Sequence, residues 1–337
     1  MKVRDRAFRT VMRLPRDALR RLAGPPTVVD GNVLDVQLQV MLDAMRRLKI
    51  VAPDGVEETR RQTDEDGEAV APSPPPMASE RDVLVPGPGG PLRARVYRPR
   101  TAGPRPGMLV YFHGGAWVFG SLASHEPALR MLAHESGVVI AAIDYRLAPE
   151  HKFPAAVDDA VAAYRWGRAR AADFGANPSR VGVGGDSAGG NLAAVVCHLA
   201  RDAQPSHQLL IYPAIDFWRT DPSHTSCASG FYLEEERTFW CEKHYLHGIE
   251  ERDDPRASPI KFARFDGLAP ATVVTAGFDI LRDEGLRYAE TLRTSGVPVD
   301  FCCETSLIHG FFNMTGAIDG ARAANTRLAA RLREALG

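Results

Sequence analysis

Apolar residues recur along this chain in two rhythms. Leu34, Leu38, Met41, Leu42, Met45 and Leu48 fall at helical spacing, which predicts an amphipathic helix in need of a partner surface. Further on the apolar positions become contiguous, in "MLVYFHGG", "VVIAAIDY", "RVGVGGDS", "QLLIYPAI", "ATVVTAG" and "VDFCCET". Most of these runs are separated by helix-like segments such as 154–170, 188–201 and 283–295. Continuous Val/Ile/Leu strands alternating with helices predict an α/β fold with a mainly parallel sheet covered on both faces. "RDVLVPGPGGPLRARVYRP" reads as two strands around a Pro/Gly turn.

Other stretches break both rhythms. "DGVEETRRQTDEDGE" reads as charged and solvated, and "APSPPP" at 71–76 as a stiff boundary, since prolines resist both helix and sheet. They divide an N-terminal segment, 1–76, from a core over 77–337. Within the core, the gap from 217 to 269 is too long for a simple crossover and is rich in Phe, Trp and Tyr, including Phe231 and Tyr232. An insertion at about 217–265 is predicted, lying over the sheet end where open α/β sheets bind ligands.

Composition narrows the function classes. With 337 residues, 45% hydrophobic and 25% charged, the chain is long enough for a large core, and a formal net charge of −1 lacks the electrostatic footprint of a nucleic-acid binder. No apolar stretch approaches the roughly 20 residues of a membrane span. The first 22 residues hold eight Lys or Arg against two Asp, without the apolar region of a secretory signal. Five cysteines, Cys197, Cys227, Cys241, Cys302 and Cys303, are an odd number without framework spacing, which fits reduced thiols and a cytoplasmic protein. His224 and Cys227 followed by Cys241, His244 and His247 can be written as a zinc site, but the second CxxC-type knuckle is missing and the stretch between is aromatic. No metal is expected.

The chemistry concentrates around "VGVGGDSAGGNLAAVV", residues 181–196. A dinucleotide fingerprint starting at Gly182 would need glycine at 187, and a P-loop needs Gly-Lys-Ser/Thr; both fail. Gly185-Asp186-Ser187-Ala188-Gly189 satisfies GxSxG, in which a sharp strand-to-helix turn strains the serine and exposes its hydroxyl. A serine hydroxyl needs an imidazole base, and that base needs an orienting carboxylate, in the chain order Ser, Asp/Glu, His. Only His309, in "SLIHGFF", follows the last two strand-like runs. Asp279, immediately after "ATVVTAG" and Phe278, is the candidate acid, with Asp216 its rival and Asp283 and Glu284 assigned to the start of the next helix. "YFHGGAW" offers the unshielded N–H groups of Gly114 and Gly115 for an oxyanion hole that Ala188 completes.

In this order, "FHGGAW", "DYRLAPEHKFPAAVDDA", "GGDSAGGNLA", "AGFDILRDEG" and "IHGF" resemble the hormone-sensitive-lipase-like α/β-hydrolases, bacterial esterases of the GDSAG type. The resemblance runs from about residue 80 to the end. It implies an eight-stranded α/β-hydrolase core, a helical cap built from the N-terminal segment and the insertion, and cofactor-free hydrolysis of short- to medium-chain carboxylic esters through an acyl-enzyme. Residue by residue it implies Ser187 as nucleophile, Asp279 as acid, His309 as base, and Gly114, Gly115 and Ala188 as oxyanion donors. Ala116 stands where many members have a third glycine, and Ile280 where proline is usual. Amide or lactone hydrolysis shares the acyl chemistry, and receptors of the same fold lose the histidine that this chain keeps. The expected partner is a small-molecule ester, with a homodimer as a further candidate. Residues 1–24, with Phe8, Val11, Met12, Leu19 and Leu22 among arginines, read either as a cap element or as a weak contact with a membrane surface.

Overall fold

The computed structural model describes residues 3–50, 52–70 and 73–337. Two short helices, α1 (Val3–Met12) and α2 (Arg16–Ala23), lead into a small ribbon of β1 (Val28–Val29) and β2 (Asn32–Val33). Helices α3 (Val36–Arg47) and α4 (Val56–Val70) complete the N-terminal segment. A hairpin of β3 (Met77–Gly87) and β4 (Gly90–Pro99) then opens the main sheet, its register closing at Gly87↔Gly90 across the predicted turn.

From there strands and helices alternate: β5 (Met108–Phe112), α5 (Leu122–Ser136), β6 (Val139–Asp144), α6 (Ala155–Arg170), β7 (Val181–Asp186), α7 (Ala188–Leu199) and β8 (Gln208–Ile211). Helices α8 (Ser223–Ser226) and α9 (Glu235–Tyr245) lie in the long connection to β9 (Ala271–Phe278). The chain ends with α10 (Arg282–Thr294), β10 (Val299–Ile308) and α11 (Asp319–Leu336). The eight strands run in the order β10-β9-β8-β7-β5-β6-β4-β3, with only the pairings of β4 antiparallel. This is the doubly covered, mainly parallel sheet that the contiguous apolar runs predict.

Strand periodicity explains why those runs carry no polar alternation. Met108, Val110 and Phe112 of β5 enter one hydrophobic cluster, and Leu109 and Tyr111 enter the cluster on the opposite face. Both faces are dry, so both sets must be apolar. The second cluster takes in the N-terminal segment through Leu34, Leu38, Met41 and Leu42, the predicted amphipathic face.

Two expectations change here. The charged stretch at 54–68 is not simply solvated. It forms most of α4, where Thr59 is buried and Arg60 reaches across to the Val118 and Ala148 carbonyls at 2.8 and 2.9 Å and to Glu150 at 2.7 Å. Its high charge reflects long-range and i,i+4 partners, including Arg61 with Glu65 at 2.6 Å. Gly67 lets α4 approach α5, since a Cβ there would stand 2.9 Å from the Ser124 carbonyl oxygen. In residues 1–24, Met12 and Leu19 are buried and Phe8 and Val11 pack on the same cluster, leaving Leu22 exposed. Most of that apolar face is therefore occupied by the protein itself. Of the proline-rich boundary, Ala71 and Pro72 lie outside the described residues.

Candidate active site

Ser187 sits between β7 and α7 with φ 56° and ψ −119°, a backbone region that side chains disfavour. Glycines permit the turn. A Cβ at Gly185 would run into the backbone of Gly189, and one at Gly189 into the Phe112 carbonyl. The turn is fastened by the Ser187 N–H donating to Ile211 O at 2.9 Å and by Ser187 O accepting from Asn191 N–H at 3.0 Å.

His309, just past β10, and Asp279, just past β9, reach this serine in sequence. Asp279 Oδ2 lies 2.8 Å from His309 Nδ1, and His309 Nε2 lies 3.0 Å from Ser187 Oγ. An ionised carboxylate only accepts, so Nδ1 carries the imidazole proton and Nε2 is left to accept from the serine hydroxyl. Asp279 is 1% exposed and takes a second hydrogen bond from the Leu281 N–H at 2.9 Å. The Tyr212 ring packs 4.5 Å from the His309 ring. Asp216, the rival acid, instead pairs with Arg287 at 2.9 Å and accepts from Trp218 N–H. Asp283 accepts from the Ser223 N–H at 2.9 Å and pairs with Arg282.

The oxyanion side departs from expectation at one residue. The Gly114 N–H donates to Asp186 Oδ1 at 2.9 Å and so is already engaged. Gly115 (φ 121°) and Ala116 (φ 51°) follow in a tight turn, and among the described residues their N–H groups, like that of Ala188, have no acceptor. The free donors are therefore Gly115, Ala116 and Ala188, one residue along from the expected pair in this loop.

Asp186 was not singled out by its sequence context. Its carboxylate is buried beneath the 113–116 loop, accepting from Tyr111 OH at 2.8 Å as well as from Gly114, with His125 Nε2 at 3.3 Å. Burial pushes this carboxyl up, but His125, Tyr111 and the Gly114 N–H together bring it below the ordinary carboxylate range. Asn313 Nδ2 in turn lies 3.1 Å from His125 Nε2, linking the network to the loop after His309.

The residues of the rejected zinc pattern do not converge. Cys227 and Cys241 are buried free thiols, His244 Nδ1 bonds Trp240 O at 2.8 Å, and His224 pairs with Glu284 at 2.9 Å. Asp221, His224 and Glu284 do lie together, but both Asp221 oxygens are held by Arg287 and Glu284 Oε1 by the Ile215 N–H.

Comparison with known proteins agrees with this fold. The α/β-hydrolase fold family matches residues 109–313. The chain is 42% identical to the carboxylic ester hydrolase LipN of Mycobacterium tuberculosis, over 95% of this chain and 88% of that protein. It is 36% identical to an ethyl acetate hydrolase of Pseudomonas putida, covering 79% and 86%. Among solved structures, an ester hydrolase from the metagenome of Lake Arreo superposes with a TM-score of 0.85 at 38% identity, covering 89% and 98%. The esterase of Pyrobaculum calidifontis does so with 0.80 at 38% identity, covering 88% and 97%. The chain belongs to the α/β-hydrolase family, in its hormone-sensitive-lipase-like branch, and its class is that of the carboxylic ester hydrolases.

Proposed function

We propose that the protein hydrolyses short- to medium-chain carboxylic esters with Ser187 as nucleophile, His309 as general base and acid, and Asp279 as the orienting carboxylate. The observation that carries this reading is the unbroken line Asp279–His309–Ser187 at 2.8 and 3.0 Å. Ser187 Oγ attacks the ester carbonyl while its proton passes to His309 Nε2, and Asp279 stabilises the imidazolium. The carbonyl oxygen, now an oxyanion, meets the N–H groups of Gly115, Ala116 and Ala188. Collapse breaks the bond to the alkoxide, which takes the proton from His309 and leaves an acyl-serine. Water, deprotonated by His309, then attacks the acyl carbonyl, and the carboxylic acid departs as the proton returns to Ser187.

A helical cap is part of this reading, formed by the segment before residue 77 and the insertion at about 217–265. It is supported by contacts between the two segments: Ser226 Oγ donates to Asp30 Oδ2 at 2.7 Å, and Arg237 reaches Pro53 O at 3.0 Å and Thr59 Oγ1 at 2.9 Å. No helix of the described residues is long and apolar enough to cross a membrane. A weak contact with anionic lipid is left to exposed Leu14 and Leu22 with their arginines, and equal vesicle co-sedimentation of wild type and Leu22→Glu removes it.

The test pairs chemistry with mapping. A fluorophosphonate is expected to label Ser187, and esters of graded acyl length to be turned over faster than matching anilides or lactones. Labelling of another residue, or faster cleavage of anilides, overturns the reading.

A further inference from the structure

Of the eight tyrosines, seven are buried at 2% exposure or less, while Tyr232 is 48% exposed. Its backbone is costly as well, with φ at 76° in the left-handed region that an aromatic residue rarely adopts. The neighbouring residues hold it there. Phe231 packs its ring 5.2 Å from that of Phe278, the Leu233 N–H donates to Phe231 O at 3.0 Å, and the Glu235 N–H donates to Ala228 O at 2.8 Å. Gly230, at φ 86°, turns the chain and donates to Glu234 Oε1 at 2.9 Å. The loop 228–235 is thus a pinned turn that spends backbone strain to hold one half-exposed ring at its tip.

That ring lies over Gly310, the residue after His309. A Cβ on Gly310 would stand 3.2 Å from Tyr232 Cε1 and 3.6 Å from Cδ1. Position 310, itself at φ 80°, is bare, and an aromatic edge fills the space a side chain would take. The two halves of an ester are not equivalent here. His309 Nε2 must deliver its proton to the departing alkoxide, so the alcohol half lies on the histidine side, while the carbonyl oxygen lies against the N–H groups of Gly115, Ala116 and Ala188.

Resting on the ester-hydrolase reading, we propose that Tyr232 contacts the alcohol half of the substrate and favours esters of planar aromatic alcohols over those of small alkyl alcohols. The ring supplies a rigid face for offset or edge stacking with an aryl group, which an ethyl group cannot return.

Phenyl acetate and ethyl acetate form the same acetyl-enzyme, so a contact with the alcohol half shows in kcat/KM and not in the shared deacylation step. Tyr232→Ala is expected to lower kcat/KM for phenyl acetate about tenfold while leaving ethyl acetate within about twofold, and Tyr232→Phe to keep the native ratio. Tyr232→Gly relieves the backbone strain as well as removing the ring, and is expected to give the same loss as alanine. A common fall on both acetates overturns the proposal, as does a selective change between ethyl acetate and ethyl hexanoate, which would place the ring against the acyl chain. Wild-type protein that cleaves none of these esters overturns the ester-hydrolase reading and this one together, whereas an active wild type with an unchanged phenyl-to-ethyl ratio in Tyr232→Ala overturns this one alone.

Discussion

Two buried carboxylate–imidazole pairs flank the turn from β9 into α10, and they differ in what the second imidazole nitrogen meets. Asp279 and His309 are 2.8 Å apart, Glu284 and His224 2.9 Å, and all four side chains are at most 9% exposed. His309 Nε2 faces the Ser187 hydroxyl, whereas His224 Nδ1 is buried without a hydrogen-bond partner among the described residues. The remaining carboxylate oxygens differ in the same sense. Asp279 Oδ1 accepts from its own turn at Leu281, while Glu284 Oε1 takes the Ile215 N–H at 2.6 Å from the start of the long connection after β8. The first pair leads to the proposed nucleophile, and the second ties the insertion to α10. A charged hydrogen bond to an imidazole is thus not a catalytic signature until its far side is known.

The comparison breaks most sharply at Asp279. Asn at this position can present an N–H to His309 Nδ1 and so stabilise the wrong tautomer. Asp279→Asn is expected to lower kcat on a short-chain ester roughly ten-thousandfold, as the same change does in a serine protease triad. The thermal midpoint should barely move, because the shape and the bond to Leu281 survive. Near-native kcat would transfer the role to another carboxylate.

A third pair, Asp186 with His125, lies between these extremes and sharpens the distinction. It touches no reacting atom, yet it holds the Gly114 N–H, and with it the peptide planes of Gly115 and Ala116. Removing the carboxylate frees that loop to rotate. Asp186→Ala is expected to cost about a hundredfold to a thousandfold in kcat, the scale of losing one oxyanion donor, with KM little changed. Asp186→Asn keeps an acceptor for Tyr111 and Gly114 and is expected to recover most of the rate. If alanine and asparagine behave alike, or KM absorbs the loss, the loop is not positioned from this residue.

How much of this was legible in the sequence follows from how local each cause is. Ser187 is visible because the glycines that make its turn are its immediate neighbours, and His309 and Asp279 because strand ends and chain order confine them. Asp186 carries no such mark. Its role depends on β7 lying beside β5, in the register Phe112↔Gly185, so that its carboxylate falls under Gly114. For the same reason Gly114 looked like an oxyanion donor: the spacing of "HGGAW" identifies the loop but not which way each peptide plane turns. The α4 helix looked solvated because its ionic partner Glu150 lies 90 residues away. In the aromatic insertion, the packing of Phe231 against Phe278 and the exposure of its neighbour Tyr232 follow from left-handed turns at Gly230 and Tyr232 that no periodicity records.

Buried imidazoles with no hydrogen-bonded carboxylate among the described residues supply the contrasting set, and their effect appears as pH dependence. Burial lowers His113 and His207 to about 4 and His198 to about 3. The folded protein holds them neutral while the unfolded chain protonates them near 6.5, so unfolding takes up protons and stability falls as pH drops from about 6.5 towards 4. Between pH 7 and 5 each should cost about 2 kcal/mol. Urea unfolding at the two pH values is expected to show a His207→Gln variant losing about 2 kcal/mol less than wild type. An identical loss would mean that His207 is already charged in the fold.

The smallest expected effect falls on the second pair of the opening comparison. Burial pushes the Glu284 carboxyl up, and His224 and the Ile215 N–H pull it partly back. Glu284→Gln retains an oxygen for the Ile215 N–H and exchanges a charge-assisted bond to His224 for a neutral one. The expected loss is about 1–2 kcal/mol of unfolding free energy, since no buried partner is left wholly unpaired. Because this pair faces no nucleophile, kcat should stay within about threefold of wild type, the opposite of the response at Asp279. Urea unfolding and kcat measured on the same preparation separate the outcomes. A hundredfold fall in kcat with unchanged stability would make Glu284 part of the machinery and erase the distinction between the two pairs, whereas lost stability with preserved turnover marks it as the tie between the insertion and α10.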